Sequence, residues 1–321
     1  HQPLPNSFFL FKKKNIMFDS GLNWKELSSI NSIRKMYSTH HELNSNFSEL
    51  SSELTFNYND LLMFNSLGDY SFKNNFYGYY DLRLSLDGSK KLNYKIYSSG
   101  FGYQNHWVKL QIGKGAESWS AGNNINLVLS SYDEPYDYIM LSSNYGKIRV
   151  NYIHGFLETI SDTINRYINA RGIEWSNEKN MILSISETIL YSGINRSIDI
   201  AYFNPISSHL ELELNDRLNV LGTGSANAVW QFHMDLFVLE CLRLSLNYLI
   251  DEFVLDPDIE IGKEHGKAYS AKANLVAFSN KNNKINLFMS RVNVGTPTFR
   301  HSNGYVNFVQ KGIPLGVVSW E

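Results

Sequence analysis

The sequence contains a single cysteine, Cys241, among its 321 residues. One thiol excludes an internal disulfide and any cysteine cluster that could hold zinc or an iron–sulfur centre. The chain also has no excess of charge of either sign, because 29 basic and 31 acidic side chains leave a formal net charge of −2. This balance argues against a nucleic-acid-binding protein, which usually carries a basic excess, so we expect no nucleic-acid partner.

Long apolar runs are missing as well. No stretch approaches the 18 or more apolar residues of a membrane-spanning helix. The first residues lack the basic and apolar regions of a signal peptide. The chain is therefore either cytosolic or exported with its signal already removed, and composition leaves both alternatives open.

Catalytic signatures are absent from the sequence, which has no nucleophile elbow, zinc-protease motif, phosphate-binding loop or dinucleotide fingerprint. Asp256, Asp258 and Glu260 could hold calcium through oxygen ligands, but they lack a complete ligand frame and are more typical of an exposed acidic loop. We therefore predict a protein that is not an enzyme and that has no metal and no cofactor.

Aromatic residues are abundant at 14%, and apolar and polar residues alternate along much of the chain. In the segment 228–238, for example, Trp230, Phe232 and Met234 alternate with polar neighbours such as Gln231 and His233. The same period of two occurs in 79–86, 91–97, 106–112, 241–250, 269–278 and 283–292. Such alternation predicts strands with one apolar and one polar face.

Two features favour a transmembrane barrel over a soluble β-sandwich. The strands approach the 9–11 residues that cross a bilayer at a tilt, whereas strands of globular sheets usually have five or six. Aromatic residues such as Trp107 and Trp175 mark several strand ends, as interfacial girdles do. We therefore predict an all-β fold, an antiparallel outer-membrane β-barrel.

The N-terminal part of the sequence has a different pattern. Asn23–Tyr37 and His40–Leu54 are predicted to be short amphipathic helices. We therefore predict a helical or irregular segment over 1–53 and the barrel over 54–321. Within the barrel, the polar insert Pro205–Leu218 is predicted either to fold into the lumen or to form an exposed loop.

A series of short blocks between Trp107 and Gly316 resembles the Wzi-type capsule assembly family of outer-membrane proteins, in its Bacteroidota-like form. The blocks, in family order, are 113–122, Asn126–Ser130, Glu134–Asp137, Arg171–Trp175, Ser186–Tyr191, Ala201–Pro205, Leu249–Phe253, Ser290–Asn293 and Lys311–Gly316. The chain departs from the family where Lys114 replaces an arginine and Ser120-Ala121 replaces Gly-Pro. Family members continue for several strands after the last block, so the resemblance predicts a barrel that is truncated at its C-terminal end.

The resemblance implies a non-catalytic, lectin-like protein that binds or organises capsular polysaccharide at the Gram-negative outer membrane. Its partners would be surface polysaccharide and outer-membrane lipid. The alternatives are an outer-membrane porin for small solutes and a soluble all-β binding protein. The candidate glycan-binding residues are Glu117, Trp119, Asp137, Glu187, Arg196, Asp199, Tyr202, Asn204, Asp251 and Arg291.

The group formed by Glu187, Arg196, Asp199 and Tyr202 has two interpretations. It could be a charged patch on the lumen wall that grips a sugar chain, with aromatic rings stacked on pyranose faces. It could instead be an internal salt-bridge lattice that keeps the barrel rigid. This second interpretation is favoured because a barrel must satisfy its own polar groups. The same two alternatives apply to Asp251, Glu252 and Arg291.

Overall fold

A computed structural model describes most of the chain from Phe47 onward. The described residues are 2–3, 10–11, 47–57, 61–72, 75–86, 91–105, 107–117, 119, 126–130, 134–177, 179–215, 225–239, 241–251, 266–279, 284–295, 298–301 and 304–316. The predicted helix Asn23–Tyr37 and the acidic residues 256–260 lie outside them.

The described residues form an all-β fold, which confirms the predicted fold class at that level. The long strands are β3 (Phe47–Asn57), β4 (Leu61–Phe72), β5 (Phe76–Leu86), β6 (Leu92–Gln104), β7 (Val108–Gly115), β8 (Tyr136–Tyr145), β9 (Ile148–Ile160), β10 (Ile164–Ser176), β11 (Met181–Ile194), β12 (Ser225–Leu239), β13 (Leu242–Asp251), β14 (Gly266–Ser279) and β15 (Lys284–Val294). Two small hairpins, β1 (Gln2–Pro3) with β2 (Leu10–Phe11) and β16 (Val309–Gln310) with β17 (Ile313–Pro314), complete the strands. Within the described ranges, one α-helix, α1 (His209–Leu214), and two 3-10 turns, Ile200–Phe203 and Gly304–Val306, lie between or after the strands.

Strands β3 to β15 form one antiparallel sheet in which every strand pairs with its neighbours in the sequence. Among the described residues, β3 and β15 are the two edges of this meander. The sheet includes Phe47–Asn57, so the predicted helix His40–Leu54 is wrong over residues 47–54. Leu50 and Leu54 fit a helical period of four as well as a strand period of two, and pairing with β4 decides for the strand.

The two faces of the sheet have the opposite character to those of a water-soluble protein. On β12 and β13, the polar residues Asp235 and Arg243 are 1% and 0% exposed, whereas the apolar residues Phe232 and Tyr248 are 44% and 42% exposed. We call these the inner face and the outer face. The predicted alternation over 228–238 is confirmed, because the polar side chains of Gln231 and Asp235 are buried on one face and the apolar side chain of Phe232 is exposed on the other.

Connections at the two ends of the sheet differ in length. At one end, the short-turn end, six hairpins are closed by two to four residues each, at 73–75, 105–107, 146–147, 177–180, 240–241 and 280–283. At the other, the long-connection end, the chain spans 20 residues at 116–135, 30 at 195–224 and 14 at 252–265, alongside shorter turns at 58–60, 87–91 and 161–163.

Two of the chain segments at the long-connection end fold back over the inner face. Residues 126–130 lie against residues 298–316, and the amide of Ser130 donates to the carbonyl of Leu315 at 2.9 Å. Leu127, Phe308 and Leu315 join apolar side chains of the sheet in the main hydrophobic core. We call the described residues of 116–130 and 298–316 the inner cover.

An arginine of the sheet binds the backbone of the inner cover. Arg166 on β10 is almost fully buried and donates to the carbonyls of Tyr305 at 2.6 Å and Asn307 at 2.7 Å. Its third partner is the carboxylate of Glu158 at 2.5 Å, which also accepts from the amide of Lys311. The cover therefore satisfies polar groups of the inner face with its own backbone.

No helix within the described part of the chain is long and apolar enough to span a membrane.

Candidate functional site

A cluster of tyrosines around one glutamine lies on the inner face of β5 to β8. The amide nitrogen of Gln111 donates to the hydroxyls of Tyr79 at 2.7 Å and Tyr138 at 2.6 Å, and its oxygen accepts from Tyr77 at 2.7 Å. Tyr138 in turn donates to Glu117 at 2.7 Å. All five side chains are buried, so the cluster is a continuous hydrogen-bonded chain from β5 to the inner cover. We call it the tyrosine cluster.

Glycines on the adjacent strand make room for these rings. A β-carbon at Gly102 would lie 2.5 Å from the ring of Tyr77, and one at Gly100 would lie 2.8 Å from the hydroxyl of Tyr79. The sequence Gly100-Phe101-Gly102 therefore lets two tyrosine side chains lie flat over β6.

Three of the predicted glycan-binding residues lie in this region, in different environments. Glu117 belongs to the tyrosine cluster, and Trp119 is buried in the neighbouring hydrophobic core. Asp137 instead points to the outer face, where its carboxylate is exposed and 3.9 Å from the ammonium of Lys114. The structure thus separates Asp137 from the other two.

A second polar cluster is centred on an ion pair between β10 and β11. Arg171 donates from Nε to Glu187 at 2.7 Å and from Nη1 to the carbonyl of Asn204 at 2.8 Å. The other oxygen of Glu187 accepts from the amide of His209 at 3.0 Å. We call this group, with the aromatic residues around it, the Arg171–Glu187 cluster.

Aromatic rings form a stack beside that ion pair. Tyr167 stacks on Tyr191 at 4.9 Å between ring centroids, and Tyr191 stacks on Tyr202 at 4.7 Å. The guanidinium of Arg196 lies 4.7 Å from the Tyr191 centroid and donates to Asp199 at 3.0 Å. Four of the predicted residues, Glu187, Arg196, Asp199 and Tyr202, are therefore brought together as expected.

The location of this cluster differs from the prediction. On β11, Glu187 lies on the same face of the sheet as Leu183 and Ile185, and it pairs with Trp230 of β12. That is the outer face, so the cluster does not lie on the lumen wall. Of the insert Pro205–Leu218, the described residues 205–215 likewise neither enter the inner side nor form a free loop, because α1 and the preceding residues lie on the outer face. We call residues 195–212 the outer cover.

A buried histidine of the outer cover completes this cluster. The Nδ1 of His209 lies 3.0 Å from the hydroxyl of Tyr202, and the two groups share a hydrogen bond.

The side chains of the remaining predicted residues take no part in either cluster. Asn204 uses its amide group locally, accepting from the amide of Ile206 and donating to Ser207, so that only its carbonyl reaches Arg171. Asp251 is buried on the inner face and accepts from the amide of Phe299 in the inner cover. Arg291 is exposed, 6.0 Å from the ring centroid of Tyr269, and Glu252 lies outside the described residues.

Sequence reasoning missed several residues that organise these clusters. Arg171 lies in a block that carried the family resemblance, but only Glu187 of its ion pair was selected. Gln111 lies in a predicted alternating segment but has no predicted role, and Tyr138 lies in none of these segments. Cross-strand register would have identified Arg171, because it lies directly opposite Glu187 in the β10–β11 ladder.

The arrangement offers hydrogen-bonding and stacking groups, and no group of three or more metal-ligating side chains occurs in the described part of the chain. A further buried ion pair, Asp235 with Arg243, is completed by the hydroxyl of Ser245, which donates to Asp235 at 3.1 Å. Each cluster is thus a network whose polar groups bind one another.

Comparison with known proteins gives few similarities. No protein-family model matches the sequence, and no curated protein matches it. Among solved structures, the chain is similar to in-vitro-folded OmpT, an outer membrane protein of Vibrio cholerae, at 6% identity and a TM-score of 0.39, over 84% of this chain and 91% of that one. It is also similar to Pseudomonas aeruginosa OccK2 in complex with glucuronate, at 9% identity and a TM-score of 0.22, over 79% and 93% of the two chains. At these TM-scores the similarity carries no argument about function.

Proposed function

We propose that the protein is an outer-membrane β-barrel whose outer face contacts lipid. The inverted burial of β12 and β13 supports this proposal, because a buried Asp235–Arg243 pair behind exposed Phe232 and Tyr248 is unfavourable in water. Strands of 10 to 15 residues such as these are long enough to cross a bilayer at a tilt.

The unequal connections give the barrel an orientation. Bacterial outer-membrane barrels have short turns on the periplasmic side and longer loops outside the cell. By this rule, the short-turn end faces the periplasm, and the connections 116–135, 195–224 and 252–265 begin and end at the cell surface.

We further propose that the protein is a non-catalytic binder of surface polysaccharide rather than an open porin. The observation that carries this choice is the inner cover, which fills the space over the inner face of β9 to β12 with the chain's own residues. A solute channel needs that space, whereas a protein that holds a polymer at the cell surface does not. The capsule-family resemblance of the sequence blocks points to the same function.

The polysaccharide would bind at the long-connection end, where the inner cover meets the strand ends. There Glu134 joins two lysines, with 2.5 Å to the ammonium of Lys95 and 3.8 Å to that of Lys311. Both lysines are partly exposed and could donate to sugar hydroxyls or carboxylates. Glu117 and Trp119 are buried and would hold the same end of the sheet in place from the interior of the protein.

Polysaccharide binding by the purified full chain tests this proposal. The double variant Lys95→Ala/Lys311→Ala should bind the surface polysaccharide of the source strain at least tenfold more weakly. The matched control is Lys147→Ala/Lys179→Ala, which removes two lysines at the short-turn end and should bind as the parent does. Absence of binding by the parent, or equal losses in both double variants, would contradict the proposal.

A further inference from the structure

The outer cover lies against the middle of the strands. Glu187 is near the centre of β11 (Met181–Ile194), and Arg171 is near the centre of β10 (Ile164–Ser176). Because both contact the outer cover directly, the cover extends from the long-connection end halfway along the outer face. In a barrel that crosses a bilayer, this position is at membrane depth.

Outward-pointing polar side chains of the sheet satisfy the backbone of the outer cover. The carbonyl of Tyr202 accepts from Tyr152 at 3.0 Å and from Asn169 at 3.2 Å, and the carbonyl of Asn204 accepts from Arg171. These three donors lie on the outer face, which is apolar elsewhere on the sheet.

The same pattern continues at both ends of the cover. The carbonyl of Arg196 accepts from Tyr167 at 2.8 Å and from Asn165 at 2.9 Å, and Glu187 accepts from the amide of His209. Irregular backbone at membrane depth is tolerated where its polar groups are buried in protein and bound by protein groups. The polar residues on the outer face do this for the carbonyls of Arg196, Tyr202 and Asn204 and for the amide of His209.

The opposite side of the outer cover is apolar and exposed. Ile200 is 81% exposed and Ile206 is 89% exposed, and Ile198, Phe203 and Leu210 are exposed beside them. These five side chains continue the exposed apolar surface that Phe232 and Tyr248 form on neighbouring strands. Their exposure contrasts with the burial of Tyr202 and Leu212 underneath.

We propose that the outer cover is a membrane-embedded segment whose surface, formed by Ile198, Ile200, Phe203, Ile206 and Leu210, contacts the acyl chains of the bilayer. The segment replaces the lipid-facing side chains of β9 to β11 over half their length. This inference rests on the proposed membrane location and adds to it, since it assigns a lipid contact to a connection between strands.

Quenching of a fluorophore at Ile206 tests the inference. In a Cys241→Ala background, Ile206→Cys is labelled with a small environment-sensitive dye, and the protein is folded into phosphatidylcholine vesicles. Lipids with a nitroxide on the acyl chain report contact with lipid, and iodide reports contact with water. Two control positions, Phe232→Cys on the outer face and Asp162→Cys in the exposed turn between β9 and β10, calibrate the two quenchers.

The inference predicts that the dye at Ile206 is quenched by the nitroxide lipid at least half as much as at Phe232, and resists iodide. It is overturned if the dye at Ile206 is quenched by iodide as strongly as the dye at Asp162, or if neither quencher reaches the dye at Ile206. If Phe232 itself is not quenched by lipid, the membrane location fails as well, so the two failures are distinguishable. Ile200→Cys provides a second labelled site if Ile206→Cys folds poorly.

Discussion

Arg171 and Glu187 form a charged pair in a place where the sheet is otherwise apolar. Both side chains are buried, and each binds the outer cover as well as its partner. Bringing two charges out of water is costly, and their attraction compensates only with good geometry and further hydrogen bonds, which the carbonyl of Asn204 and the amide of His209 supply here. The geometry therefore favours a structural role for Glu187 over glycan binding.

Replacement of Glu187 distinguishes these two roles. Glu187→Ala leaves the charge of Arg171 buried and unpaired, which should lower the free energy of unfolding by about 3–5 kcal/mol. Polysaccharide binding by the variant that does fold should be unchanged. The melting midpoint in detergent and a binding assay on the same sample measure the two effects.

Asp137→Ala is the matched control for this variant. Asp137 is an exposed carboxylate with a lysine at 3.9 Å, so its removal should cost less than about 1 kcal/mol. Equal destabilisation by the two variants, or loss of binding by Glu187→Ala at unchanged stability, would show that the structural role is wrong.

At the scale of elements, regular alternation identified seven strands of the sheet correctly. The segments 79–86, 228–238 and 241–250, for instance, lie within or overlap β5, β12 and β13 with the predicted facing. Each of these strands keeps apolar side chains on its outer face over most of its length, so the period of two is visible in the sequence.

Strands β8 to β11 did not give such a signal, and the covers explain why. Where the outer cover lies on the sheet, the outer face needs donors such as Asn169 and Arg171, while the inner face beneath the inner cover needs apolar residues such as Ile168 and Leu190. Within a single strand, the polar residues therefore move from one face to the other along its length. The point where they change face depends on the path of the long connections, which are distant in sequence.

The outer face of an uncovered strand gives a depth-dependent prediction. Phe232→Arg places a charge at the centre of β12 and should cost about 2–4 kcal/mol in a bilayer, whereas Tyr145→Arg at the short-turn end should cost about 0–1 kcal/mol. Urea unfolding in phosphatidylcholine vesicles measures both. Similar costs at the two positions would contradict the proposed lipid contact.

The inner cover gives a prediction for Arg166. Arg166→Ala removes the donors to two carbonyls of the cover and leaves Glu158 without its guanidinium partner. We expect residues 298–316 to detach from the sheet and to be cleaved at least tenfold faster in limited proteolysis, while the strands stay intact. Arg300→Ala, which removes an exposed arginine of the same segment, should be cleaved at the parent rate. Equal rates for both variants would exclude Arg166 as the residue that holds the cover.

At the scale of the whole molecule, the candidate site was less predictable than the fold. Glu117, Glu187 and Asp251 were selected together from sequence blocks, but they lie in the tyrosine cluster, the Arg171–Glu187 cluster and the contact with Phe299, respectively. Facing along a strand follows from a local pattern. Which buried polar groups meet depends on how the long connections return to the sheet, and no local pattern records that.

The central claim about the whole molecule is that the inner cover blocks the lumen of the barrel. Planar-bilayer conductance of the purified full chain tests this claim most directly. The account predicts no steady conductance above that of the bilayer, with current appearing only in the Arg166→Ala variant. A stable, open channel in the parent protein would contradict the closed barrel and would favour the porin alternative.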